Sequence, residues 1–337
     1  MLFLFYFQKK DSANGRLLIW QVSYEMIKDK PILGRGYNTF KAKYMDYQAA
    51  YFAKHPDSAY SHLADNVKHP FNEFILLTVE NGITGLFVVL AFVFIALRRI
   101  KKLRGEFRSL ALSGFAALCT FACFSYPFQY VAVWILVAFY ISLILPTKVF
   151  ELRRNPAIFI ARSFIVVSSC LCILYAIIQI KAEIKWNDIA QKSLRGQTIE
   201  MLPEYEKLYP YLKRNPFFLY NYGAELNVAG RYDESIDVLK KCQKLFNDYD
   251  LQLLLADNYQ KKGELGIAIS IYKHASNMIP CRFYPLYHLL GIYHEANSAD
   301  KAYLIANEII LKKEKVHSST IYFIKSEAKK YLESVKQ

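Results

Sequence analysis

The chain has 337 residues, 54% hydrophobic and 16% aromatic, and a net charge of +14 from 43 Lys and Arg against 29 Asp and Glu. That balance would suit nucleic acid, but many of the cations flank long apolar runs, which is membrane topology, and no RNA- or DNA-binding signature is present, so no nucleic-acid partner is expected. The apolar runs end near Ile180 and a polar, Tyr-rich region follows, which points to two or three units.

The first seven residues, Met1 to Phe7, are apolar but too short to cross a bilayer, and read as the tail of a span. Residues 8–70 follow as a polar loop with ten cations and six acids. Leu17, Trp20, Tyr24 and Ile27 have helical spacing, and Pro31 ends that helix. Gly34 and Gly36 mark a turn, and they alone are a weak phosphate-loop signal. A second helix is expected over Thr39 to Ala53. A loop carrying His55, His62 and His69 leads to Pro70, which suits the first turn of a helix. If the helix starts there, steps of about 100° per residue bring His69, Glu73 and Glu80 to one face. Glu80 then lies inside an apolar run, where a carboxylate marks a site or a buried partner.

Four apolar runs are expected to span: Phe74 to Leu97, Leu110 to Phe124, Phe128 to Leu145 and Ala157 to Ile180. Tyr126 and Pro127 form the turn of a hairpin. The connection Arg98 to Arg108 holds six cations against one carboxylate, and Lys148, Arg153 and Arg154 follow the third run. The positive-inside rule makes both connections cytoplasmic, which puts 8–70 and 181–337 on the opposite side. Cys119, Cys123, Cys170 and Cys172 lie in apolar runs and Cys242 and Cys281 in the polar half. Their spacing, without nearby His, gives no zinc site, so they read as small buried residues. Neither metal nor cofactor is expected.

From Trp186 the chain reads as short helices. Gly230 and Gly263 hold equivalent places, and Ala268, Tyr272, Ala275 and Pro280 fit the ~34-residue tetratricopeptide pattern. A degenerate third unit contains Leu290, Gly291, Tyr293 and Ala302. Stacked helix pairs make a concave surface for a protein partner. The expected class is therefore all-α: a loop at 1–70, spans over 71–180, and a helix-pair solenoid over 185–337.

Several of these residues form an ordered pattern. Gly15, Arg16 and Trp20 are followed by Pro31, Gly34, Gly36 and Phe40, then by His69, Asn72, Glu73 and Ile75, then by Glu80, Gly82 and Gly85. Over about residues 11–145 the pattern resembles the O-antigen ligase and O-antigen polymerase family, bacterial inner-membrane enzymes. The resemblance implies about a dozen spans and a large periplasmic loop. It implies metal-independent transfer of a glycan from undecaprenyl diphosphate to an acceptor hydroxyl, such as one on lipid A-core. Carried over, Arg16 would bind the diphosphate and His69 would activate the acceptor. Arg35, in its Gly-flanked turn, is a further candidate for the diphosphate. Chemistry agrees: Arg offers a planar fork to phosphate, and His a base near neutral pH. Glu73 or Asn72 would orient the imidazole or the acceptor, and Glu80 is a further polar site in the membrane. In the family the histidine directly precedes the Asn, where this sequence has Phe71. A dozen spans also make an N-terminally truncated member the expectation. The alternative is a non-catalytic scaffold whose repeats recruit partners in envelope polysaccharide assembly.

Overall fold

The computed structural model describes residues 9–145 and 156–335. The span remnant expected in 1–7 and the cations Lys148, Arg153 and Arg154 lie outside the described residues. Those residues form helices and turns, with no strand among them.

The loop holds α1 (Lys10–Asp29) and α2 (Thr39–Lys54). Then come α3 (Glu73–Ile100), α4 (Gly105–Phe124), a 3-10 turn at Pro127–Gln129 and α5 (Val131–Ile144). After the undescribed stretch, α6 (Pro156–Lys192) continues through a short π-turn into α7 (Thr198–Leu212). The repeats are α8 (Pro216–Val228) with α9 (Tyr232–Gln243), α10 (Tyr249–Lys261) with α11 (Leu265–Met278), and α12 (Tyr284–Glu295) with α13 (Ala299–Leu311), followed by α14 (Ser319–Ser334).

Three described helical stretches are long and apolar enough to cross a membrane: α3, α4 and the stretch Arg162–Leu212. The expected third span is shorter than its sequence suggested. Pro127 diverts the backbone into the 3-10 turn, and the apolar helix that follows has 14 residues. At about 1.5 Å per residue that is roughly 21 Å, short of a hydrocarbon core of about 30 Å.

The three helix pairs turn the same way. Gly230 (φ 77°), Gly263 (φ 80°) and Asn297 (φ 51°) are left-handed at the same place. In each turn the next N–H reaches back five residues: Arg231 to Leu226, Glu264 to Tyr259 and Ser298 to Tyr293, all 2.9 Å. This is the Schellman end, which favours Gly and tolerates Asn.

The chain divides into two compact units. One runs from Ile141 to Cys242. Inside it, the Trp186 Nε1–H and the Tyr205 hydroxyl both donate to Asn221 Oδ1 at 2.8 Å, and Tyr205 stacks on Tyr222. The other unit joins the chain up to Tyr140 with the chain from Gln243 onward, so two repeat pairs belong with the loop and α3–α4. Its core draws Leu18, Val22, Met26, Phe40, Tyr44, Met45 and Phe52 from the loop, and Ala275, Met278 and Ile279 from the repeats. Fully burying one large apolar side chain is worth about 1.5–3 kcal/mol, so this shared core binds the loop to the repeats.

Candidate functional site

The site grows from the start of α3. Phe71 takes a left-handed backbone (φ 54°) and Asn72 an extended one, so the helix starts at Glu73 and not at Pro70. The gain is a cap: Asn72 Oδ1 accepts the Ile75 N–H at 3.0 Å. The Asn72 side-chain amide also donates to the Cys123 carbonyl at 3.0 Å, and the Glu73 carboxylate accepts the Phe128 N–H at 3.2 Å. Asn72 and Glu73 thereby fasten α3 to the α4–α5 turn.

That turn carries Tyr126, whose ring stacks on His69 with centroids 4.8 Å apart. Phe71 meets Tyr126 edge-on at 5.5 Å. The Arg16 guanidinium lies 5.3 Å from the Phe71 ring centroid and donates to the Phe124 carbonyl at 3.2 Å. Trp20 Nε1–H donates to the Pro70 carbonyl at 2.9 Å. Arg16, His69, Asn72 and Glu73 therefore gather around one aromatic turn, with Trp20 holding α1 to it.

His69 is half-buried, and its pKa is pushed down from 6.5 to about 4, first by burial and then by the Lys41 and Lys68 ammonium groups. Burial also holds Lys41 below the ordinary lysine value, with Lys68 adding to the effect and Glu80 opposing it. Neither lysine stands out in the sequence. They are ordinary surface-type cations until the loop folds over α3. The signal that could have found Lys41 is the buried Glu80, which needs positive groups nearby.

Glu80 and Arg35 lie at a second point, where the loop crosses α3. The helix breaks at Gly82 (φ 64°, ψ −167°), and the loop enters the break. Val79 and Glu80 carbonyls accept the Arg35 and Gly36 N–H groups at 3.1 and 2.8 Å, and the Ile83 and Thr84 N–H groups donate to Pro31 and Ile32 carbonyls at 2.9 and 3.3 Å. These are the groups that an unbroken helix would pair with each other, so every freed group finds a loop partner. A Cβ on Gly34 would lie 2.4 Å from the Glu80 backbone, and one on Gly82 would lie 2.1 Å from the Ile32 oxygen. The Gly34 and Gly82 motifs thus form one joint.

The Glu80 side chain, 8% exposed, faces the N–H groups of Asn38 and Phe40 at the start of α2. A carboxylate there matches the partial positive charge of the helix end. Arg35 pairs with Asp29 at 2.7 Å and donates to the Tyr47 hydroxyl and, at 3.5 Å, to the Met26 carbonyl. His55 leans on Tyr51, and His62 lines a cleft of about 640 Å³ between the loop and the repeats. Among the described residues, no group of three or more His, Cys, Asp or Glu could hold a metal ion.

Residues 2–90 match the model of the O-antigen ligase family. A Rickettsia felis protein named "Putative polysaccharide ligase" is 28% identical over 138 residues, 39% of this chain and 33% of that protein. The matched stretch therefore spans about a third of that relative's length. Among solved structures, the crystal structure of MamA protein aligns over 45% of this chain and 89% of its own, at 20% identity and a TM-score of 0.37. A MamA RS-1 double mutant aligns at the same identity and TM-score, over 46% of this chain.

Proposed function

We propose that this membrane protein, which carries an O-antigen ligase segment at residues 2–90, transfers a glycan from undecaprenyl diphosphate to an acceptor hydroxyl, as part of a longer enzyme or beside a partner that supplies further spans. The observation that carries the reading is His69: a half-buried imidazole, neutral at pH 7, beside two ammonium groups at the mouth of a membrane-length helix.

The step balances as follows. His69 takes the proton of the acceptor hydroxyl. The acceptor oxygen bonds to the anomeric carbon as the bond from that carbon to the diphosphate oxygen breaks. The electron pair leaves on the lipid diphosphate, whose negative charge faces Arg16 with Lys41 and Lys68. Charge-assisted contacts to the leaving group lower the barrier, because negative charge grows there in the transition state. Glu73 and Asn72 hold the helix mouth that presents His69. Arg35, already shared with Asp29 and Tyr47, is the secondary diphosphate cation. Glu80 serves by fixing α2, and with it Lys41. The basic Arg98–Arg108 connection supports a site on the periplasmic side of a bacterial inner membrane. The acceptor is a glycan such as lipid A-core, and the repeat face is left for a protein partner.

The scaffold reading draws on the helix pairs, since repeats of this kind commonly present a surface to a protein partner. Arg16→Ala separates the two. We expect transfer to fall at least about tenfold at normal protein level, with the larger effect in kcat, because the contact strengthens as the leaving group gains charge. A scaffold would transfer, through its partner, at the wild-type rate.

A further inference from the structure

The two lysines that face His69 come from different parts of the loop. Lys41 is on α2, and Lys68 directly precedes the imidazole. The linker between α9 and α10 touches both. On the α2 side, the Asn247 N–H donates to the Lys41 carbonyl at 3.0 Å, and the Asn247 side-chain amide donates to Asp46 at 2.8 Å. The Asn38 amide donates to the Leu245 carbonyl at 3.1 Å. On the other side, the Tyr249 N–H donates to Asn66 Oδ1 at 3.1 Å, and Asn66 donates to Asp250 at 3.2 Å. The Lys68 ammonium lies 5.4 Å from the centroid of the Phe246 ring.

The linker itself is fixed. Asn247 is 1% exposed and Phe246 8%, and Gln252 donates to Asn247 Oδ1 at 2.7 Å. Asp46 is also bonded to His274 of α11 at 3.1 Å. A buried amide satisfied on both its oxygen and its nitrogen holds one geometry, because moving it strands polar groups.

We propose that the repeat linker Leu245–Asp248 is a positioning element of the transfer site, holding Lys41 and Lys68 at fixed places around His69. The proposal rests on the function given above. It makes the repeats a wall of the site, so whatever moves this linker moves the cations that meet the diphosphate. Asn247 is the positioning residue, and Phe246 holds the Lys68 ammonium through a cation–π contact.

The test reads His69 directly, in the full chain in lipid nanodiscs, by histidine C2 hydrogen–deuterium exchange followed by mass spectrometry. The groups facing the ring are Lys41, itself near Glu80; Lys68, itself near Asp248; and the Tyr126 ring. The wild-type midpoint is expected near 4. Lys68→Met removes one cation and raises it by about one pH unit. Asn247→Ala and Asn38→Gly release the linker and raise it in the same direction, with the other histidines unchanged. Asn38→Gly is the mild variant, because glycine keeps the left-handed backbone at φ 63° and only the amide bond is lost. The proposal is overturned if both linker variants keep the wild-type midpoint, or if Lys68→Met does. Because no transfer is measured, this result stands apart from the proposed activity, which fails by its own assay.

Discussion

A histidine that acts as a base must be unprotonated when the acceptor arrives. His69 meets that condition at any pH well above 4, because burial and then Lys41 and Lys68 disfavour its charged form. The sign of the pH effect follows. In the free enzyme the acid limb of kcat/KM should fall near pH 4, not near the 6.5 of an ordinary histidine. A bound diphosphate brings negative charge beside the ring and restores the imidazolium in part. The limb in kcat should therefore lie at higher pH than the limb in kcat/KM. Initial rates against pH, at low and saturating donor, check both; a kcat/KM limb near 6.5 would contradict the account. The same depressed pKa means that the unfolded chain takes up a proton first, so His69 contributes less to stability as pH falls from about 6.5 towards 4. Arg16, His69, Asn72 and Glu73 were legible in the sequence through their order and spacing. Lys41, Lys68 and Tyr126 were not, because only the folded loop and hairpin bring them to the imidazole.

At the scale of elements, the joint between the loop and the broken α3 decides where the site stands. Gly34 and Gly82 are left-handed, and a side chain at either meets backbone within 2.4 Å. Gly34→Ala adds that overlap to the cost of a left-handed alanine, about 3 kcal/mol together. We expect a clear fall in the temperature at which the detergent-solubilised protein aggregates; Gly15→Ala, where nothing stands within 4 Å, serves as the control. Glu80→Ala removes the carboxylate that faces the start of α2, at a cost of about 1 kcal/mol. It should lower the same temperature and loosen Lys41, and an unchanged temperature would contradict that role. The break at Gly82 was not visible beforehand. A glycine in an apolar run is tolerated inside a helix, and the loop that fills this break lies some fifty residues upstream. The start of α3 was misplaced for a related reason. Pro70 fits a first helical turn, but a left-handed Phe71 lets Asn72 cap the helix and fasten it to Cys123. The second loop helix was legible nearly to the residue, Thr39–Lys54 against the expected Thr39 to Ala53. The first was legible in its existence and its end, but it starts at Lys10, ahead of the apolar spacing, and it buries Leu18, Val22 and Met26 while Leu17 and Tyr24 stay exposed.

At the scale of the molecule, the repeats from Gln243 onward share a core with the loop. Gln48, fully buried, donates to the Met278 carbonyl at 2.7 Å and to the Asp65 carbonyl at 3.2 Å. Removing Gln243–Gln337 should expose Phe52, Met45 and Gln48 and make the loop sensitive to trypsin at Lys43 and Lys54. Wild-type resistance in the shortened chain would show the loop to be self-sufficient. The helix pairs were legible because Gly230 and Gly263 recur at the right period. Their packing on the loop was not, since nothing local in Asn247 or Met278 records a partner two hundred residues away. For the same reason, deleting the repeats is a poor way to tell scaffold from enzyme, and point substitutions are needed.

The most direct measurement is transfer of lipid-linked glycan in native membranes whose only copy of this protein carries His69→Ala. The account predicts a loss of at least about a hundredfold, the ordinary worth of a general base, with normal protein level and accumulated undecaprenyl-diphosphate-linked donor. Transfer at the wild-type rate with the donor turned over normally would contradict it.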